Sequence, residues 1–387
     1  MSWPMISLGE LVDIKGGGTP DKNNSEYWNG DIPWASVKDF KKNVLDSTLD
    51  SITLLGVRNS ATSVIPAGNI IVPTRMALGK VAINTIDLAI NQDLKALFIK
   101  DNDVVDRNYL FRWLESQSSL IESEGKGATV KGITLPFLKG LNVPIPPINE
   151  QKRIAAILGK AEDIRQKREQ AIKLADDFLR AKFLEMFGIP ANNIHRFPKG
   201  TIRDLVDSVN YGTSAKASID SGEYPILRMG NITYQGRWDF TDLKYLDLSV
   251  KEKDKFLVKE GDLLFNRTNS KELVGKTAVY EEDRPMAFAG YLIRVRPNSI
   301  GNNYYISGYL NSIHGKITLM NMCKSIVGMA NINAQELQNI EILIPPKHLQ
   351  DEYEIIYKKI KKGLSIYDKS AMQLQLLASN LSNKYFM

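Results

Sequence analysis

The residues best suited to catalysis are few and scattered. The three histidines (His195, His314, His348) and the single cysteine, Cys323, lack the spacing of a metal centre. Cys323 reads as a lone buried thiol. Double prolines stand at Pro146-Pro147 and Pro345-Pro346, preceded by Ile145 and Ile344 and followed by Ile148 and Lys347. An adenine amino-methyltransferase would need Asn or Asp before such a pair and an aromatic after it, to hold the exocyclic amine. Glu124-Gly125-Lys126 is the nearest approach to a nuclease signature, but no Pro-Asp lies at a suitable distance, so it reads as a solvated loop. No Gly-rich phosphate loop ending in Lys-Ser/Thr occurs.

Hydrogen-bonding side chains gather instead in three clusters, each written twice. "PTRMALGK" offers Thr74, Arg75 and Lys80; "NRTNSKELVGK" offers Asn266, Arg267, Thr268, Asn269, Lys271 and Lys276. "PWASVKDF" supplies Trp34, Ser36 and Lys38, and "PILRMGNI" supplies Arg228 and Asn231. "GKGATVKG" brings Lys126 and Lys131, and "SIVGMANIN" brings Ser325 and Asn331. Thr19 and Thr213 each follow a glycine at a turn after the first helix of each copy. Arg, Lys, Asn and Thr can bond phosphate oxygens and nucleobase edges. They also sit solvated in ordinary loops. Recurrence at matched positions is what makes them candidates.

The elements that must position these loops also recur. "LGELVDIKGGGTP" (8–20) matches "IRDLVDSVNYGTS" (202–214), "GKVA" (79–82) matches "GKTA" (275–278), and "YLFRWL" (109–114) resembles "YISGYL" (305–310). Short apolar runs ("NIIVPT", "KALFIK", "DLLFNRT", "YLIRVRP") predict strands, and "NYLFRWLESQSSLIESE" predicts short helical stretches. After each double proline comes one long helix, with proline blocking its extension backwards. Ile157, Ile164, Ala171 and Phe178 recur every seven residues in the first, and Tyr353, Ile360, Tyr367, Leu374 and Leu381 in the second. Tyr357, Leu364, Ala371, Ala378 and Tyr385 form the adjacent row. The heptads predict a coiled coil, antiparallel if the two helices pair. About 38 residues at 1.5 Å rise would span on the order of 55–60 Å.

The expected class is therefore α+β: two similar globular domains separated by two long helices forming an antiparallel coiled coil, with an internal pseudo-twofold repeat. The boundaries expected are 1–147, 148–188, 189–346 and 347–387. The net charge of +6 permits nucleic-acid binding without demonstrating it, and no segment is polybasic. With no membrane-spanning run and no signal-peptide pattern at the start, the expected location is the cytoplasm.

"IPPINEQKRIAAIL" and "FLEMFG" (183–188) resemble the start and end of the central conserved region in the specificity subunits of Type I restriction–modification systems. The ordered plan of variable domain, long helix, variable domain, long helix covers the whole chain. The resemblance implies a non-catalytic reader of double-stranded DNA. Each domain would recognise one half of a bipartite site, and the helices would set the gap. Partners implied are two methyltransferase subunits and the restriction/translocase subunits. S-adenosylmethionine, ATP and Mg2+ are expected on those partners, with no cofactor on this chain. Partner contacts are expected at Pro146, Pro147, Asn149, Glu150, Gln151, Arg153 and Ile154, and at Pro345, Pro346 and Gln350. The second copy departs here, since Asp351 and Glu352 replace Lys152 and Arg153. Two other readings remain open: a coiled-coil scaffold with two protein-binding domains and no DNA role, and a component carrying its own nuclease.

Overall fold

The apolar runs become short strands, and one plan is built twice. The structure, a computed structural model, describes residues 3–127, 130–326 and 329–386. It divides into two units, residues 1–167 with 370–387 and residues 168–369. Each unit thus combines a loop-rich body with the start of one long helix and the end of the other.

In the first unit a five-stranded sheet runs in the order Val12–Gly16, Leu94–Ile99, Ile70–Pro73, Ala82–Asn84, Val44–Leu45. Leu97 lies between Ile14 and Ile70 in this register. Helix α1 (Arg107–Ser116) covers it, started by Asp106, whose carboxylate accepts the Tyr109 N–H at 2.9 Å. Its apolar face, Tyr109, Leu110, Trp113 and Leu114, is buried with Ile70 and Leu97. Strand Asn142–Pro144 then pairs with Met5–Ser7, and the double proline leads into α2 (Ile148–Phe187).

The second unit repeats this. Its four-stranded sheet runs Val206–Tyr211, Leu292–Pro297, Leu263–Asn266, Thr277–Val279. Helix α3 (Asn303–Asn311) is capped by Asn302, which accepts the Tyr304 N–H at 2.8 Å. Strand Glu341–Leu343 pairs with Lys199–Thr201 and leads to α4 (Lys347–Phe386).

The repeat extends to single hydrogen bonds. Tyr109 Oη donates to the Pro144 carbonyl and Tyr305 Oη to the Leu343 carbonyl, both at 2.7 Å. Burial pushes both phenols well above their ordinary range. Gln151 Nε2 donates to Pro146 O at 2.8 Å and Val104 O at 2.9 Å; Gln350 Nε2 donates to Pro345 O at 2.8 Å and Ile300 O at 3.0 Å. Each double proline is therefore bolted to its body by the glutamine of the following helix turn.

The helices pair antiparallel within each unit. In the first, Leu158, Ala161 and Arg165 of α2 line one groove with Leu374, Ala378 and Ser382 of α4. Phe386, near the end of α4, meets Tyr109 at 5.5 Å. In the second, Phe187, at the end of α2, meets Tyr305 at 4.7 Å, while Phe183 meets Tyr353 of α4 at 5.3 Å. Full burial of each such ring contributes roughly 1.5–3 kcal/mol.

The heptad row assigned to α2 requires correction. Ile164 is 41% exposed and Phe178 49%, while Leu158 and Leu179, each one residue after a member of that row (Ile157 and Phe178), are buried at 8%. The inward face of α2 runs through Ile154, Leu158, Ala161, Ile172, Ala175, Leu179 and Phe183, with Ile157 and Ala171 half-buried beside it. In α4, Tyr353 and Leu364 are buried, and Tyr357, Ile360, Leu374 and Leu381 are half-buried. Tyr367 faces outward at 44% exposure, also against expectation. Apolar residues occur on more than one side of α2, so period alone does not select the packed face.

Candidate nucleic-acid interface

In the first unit, strand Ile70–Pro73 delivers the first polar cluster to a loop. Thr74 is buried, and its Oγ1 donates to Asp93 O at 3.1 Å. Arg75 follows, with its side chain 65% exposed and Nη1 4.0 Å from Asp93 Oδ1. Met76 then takes φ +64° while the Ala77 N–H bonds Arg75 O at 2.9 Å, a tight three-residue turn strained at a non-glycine centre. The third cluster holds it there, because the Met76 N–H donates to Lys131 O at 3.1 Å and Ile133 N–H to Thr74 O at 3.0 Å. Lys126 and Gly132 exchange two backbone bonds at 3.0 Å, so exposed Lys126 and Lys131 lie alongside Arg75.

The second cluster joins through a cleft of about 570 Å³ lined by Thr19, Trp34, Ser36, Lys38 and Met76, together with Trp28 and Asp93. Trp28 and Trp34 meet edge to face at 5.1 Å, and Trp34 Nε1 donates to Gly18 O at 3.0 Å. Gly17 lets this turn lie against the backbone of Ile90, since a Cβ there would sit 1.9 Å from Ile90 O. Lys80 is taken elsewhere: its Nζ donates to Phe40 O at 2.9 Å.

In the second unit the first and third clusters are zipped into one small sheet, where Thr268 pairs with Asn331 and Asn269 with Ala330. Arg267 sits at its root, with its guanidinium over the Tyr211 ring at 4.9 Å. Lys271, Asn269 and Asn331 remain exposed or partly so. Arg228 Nη2 is ion-paired with Asp242 at 2.8 Å.

Several candidates are braces rather than available contacts, because burial has consumed their polar atoms. Asn266 is fully buried, and its Oδ1 accepts the Thr268 N–H at 3.4 Å. Asn231, 3% exposed, accepts the Arg228 N–H at 2.8 Å and donates to Asp239 O at 2.8 Å. Thr213 Oγ1 accepts the Ala215 N–H at 3.0 Å, and Ser36 caps a turn through Lys38 N–H at 3.3 Å. Thr74, Thr268, Trp34 and Lys276 are enclosed too, and burial lowers the Lys276 pKa. One sequence does not separate a polar residue that shapes a loop from one that reaches out of it. Trp28, Met76, Tyr211 and Tyr291 stand beside these clusters without belonging to the polar pattern; the signal for Met76 is an apolar residue inside a polar loop, and for Tyr211 an exposed aromatic at the end of strand Val206–Tyr211.

The partner candidates divide similarly. Gln151, Ile154 and Gln350 are fully buried, and Pro146 and Pro345 are buried, so these five brace the body. Pro147, Asn149, Arg153 and Pro346 are exposed, and Arg153 is ion-paired with half-buried Glu150 at 2.9 Å. Asp351, at the charge reversal, accepts from Asn302 Nδ2 at 2.8 Å and from Lys347.

Comparison with known proteins agrees with this architecture. Residues 2–174 and 197–378 match the family model described as the Type I restriction modification DNA specificity domain. The EcoR124I/EcoR124II specificity subunit of Escherichia coli is 39% identical over 165 residues, 41% of this chain and 40% of that subunit. The MjaIX specificity subunit of Methanocaldococcus jannaschii is 21% identical across 99% of the chain and 92% of its own length. In fold, the chain is similar to the S subunit of a Type I system from M. genitalium, with TM-score 0.67, 16% identity and coverage of 100% of this chain and 96% of that one. With both repeats matched, the chain belongs to the Type I restriction modification DNA specificity domain family.

Proposed function

We propose that this chain reads a bipartite site in double-stranded DNA, one half-site per unit, without catalysing a reaction itself. The observation that carries this reading is the convergence of polar segments far apart in sequence: the segments around Arg75 and Lys131 meet in the first unit, and those around Arg267 and Asn331 meet in the second. The paired helices α2 and α4 act as the spacer between half-sites. Their exposed apolar residues, among them Ile164, Leu174 and Phe178 on α2 and Ile355 and Ile366 on α4, offer surface to partner subunits. Those partners are two methyltransferase subunits and the restriction/translocase subunits, carrying S-adenosylmethionine, ATP and Mg2+, and the complex works in the cytoplasm.

DNA binding through several phosphates should weaken steeply as salt rises. A salt-insensitive chain that captures a protein instead would favour the scaffold reading. Replacing residues 1–145 with the corresponding part of another family member should change one half-site only, read by methylation-sensitive long-read sequencing. Adding four residues to both α2 and α4 should lengthen the gap by about 6 Å, or one to two base pairs; an unchanged gap would sink the spacer role.

A further inference from the structure

Several guanidinium groups in the second unit are already committed. Arg228 is paired with Asp242, and Arg294 and Arg296 share Asp262. Arg267 has neither an ion pair nor a side-chain hydrogen bond among the described residues, yet it is held in place. Its N–H donates to Tyr291 O at 3.0 Å, and its carbonyl accepts Ile332 N–H at 2.9 Å. Its guanidinium lies on Tyr211, and Nε is buried without a hydrogen-bond partner. The terminal nitrogens are left as the available donors. Tyr211 and Tyr291, 41% and 54% exposed, flank the position.

We propose that Arg267 reads a guanine in the half-site bound by the second unit, its terminal nitrogens donating to O6 and N7. This rests on the DNA-reading function proposed above. Guanine presents two adjacent acceptors on its major-groove edge, which suits a planar fork. A fork fixed before binding loses little freedom on contact. A phosphate needs only a point charge, which a flexible lysine supplies as well. The Arg75 side chain in the first unit is 65% exposed, and among the described residues no ring lies beneath it.

The test uses the full chain assembled with its methyltransferase partner. The swap of residues 1–145 identifies which half-site belongs to the second unit. In the wild type that half-site contains a guanine whose replacement by 7-deazaguanine, which lacks N7, lowers methylation about tenfold or more. Because this arm uses the wild-type protein, folding of a variant does not confound it. Arg267→Ala and Arg267→Lys both relax that one position and leave the other half-site intact. The proposal fails if 7-deazaguanine has no effect at any guanine of the half-site. It also fails if Arg267→Ala keeps the full motif, or if it weakens all sites uniformly and flattens the salt dependence. A wild-type assembly that yields no bipartite motif overturns the DNA-reading function itself, a different result from any of these.

Discussion

The loop after strand Ile70–Pro73 and the loop after strand Leu263–Asn266 occupy the same place in their repeats but are finished differently. The first carries Arg75 on a loose tether to Asp93 and a strained, 56% exposed Met76 beside an aromatic cleft. The second lays Arg267 on Tyr211 and zips Thr268–Asn269 into a sheet. At the double prolines, by contrast, the tyrosine and glutamine braces agree between units to within about 0.1 Å. The repeat keeps the bonds that seat each long helix on its body and varies what the loops present.

The sharpest difference in the frame lies at the helix ends. The second unit packs Phe183 and Phe187 against each other and each against both Tyr305 and Tyr353, whereas the ring contact on Phe386 in the first is to Tyr109. Phe187→Ala should destabilise by about 3–5 kcal/mol and Phe386→Ala by about 2 kcal/mol in urea unfolding. Equal losses would break the comparison.

The two glutamines come next. Gln151 Oε1 accepts the Asp106 N–H at 2.8 Å, whereas Gln350 Oε1 is buried without a partner among the described residues. Gln151→Leu should therefore cost about 2–3 kcal/mol and Gln350→Leu about 1 kcal/mol, since the second already bears an unmet acceptor. Denaturation of each variant would show whether the order reverses.

A third difference titrates. At the 196-residue offset relating Tyr109 to Tyr305, Leu120 corresponds to Lys316. Lys316 Nζ is buried without a hydrogen bond among the described residues, 5.0 Å from the Tyr234 ring centre. Burial, helped by Arg180 and Lys276, pushes its pKa down to about 8. Below pH 8 the folded state bears the full cost of the buried charge. Between pH 8 and the ordinary 10.5 the unfolded state holds more protons, so stability rises with pH. Lys316→Met should raise Tm by roughly 2–4 °C at pH 7, and that advantage should shrink toward pH 10.5. An advantage independent of pH would refute the assignment.

The smallest effect concerns the tips. Met76→Gly should relieve the positive φ and stabilise by about 0.5–1 kcal/mol, while Thr268→Gly, inside a strand, should destabilise by a similar amount. Loss of stability at Met76→Gly in a thermal melt would remove strain from the account.

The frame was readable because apolar period and proline punctuation report burial directly. Strands at 70–73 and 263–266 and both long helices lie where the patterns put them. The packed face of α2 was not readable. Ile164, Leu174 and Phe178 are as apolar as the buried Leu158 and Leu179, and part of the true inner face is Ala161, Arg165 and Arg168. The sites were half readable. Recurrence of the clusters was written in the repeat, but their convergence needed backbone pairing between distant segments, Asn231 and Asn266 spend their amides inside, and Arg267 gains its footing from Tyr211, 56 positions earlier.

The reciprocal seating of the helix ends also governs how the chain is made. The second unit is one continuous stretch, 168–369, whereas the first draws on residues 370–387. During synthesis the body built first must therefore wait for the final turns of α4, among them Leu381, Tyr385 and Phe386, to complete its apolar core. A premature stop after residue 369 would spare the later-made body and leave the earlier-made one unfinished.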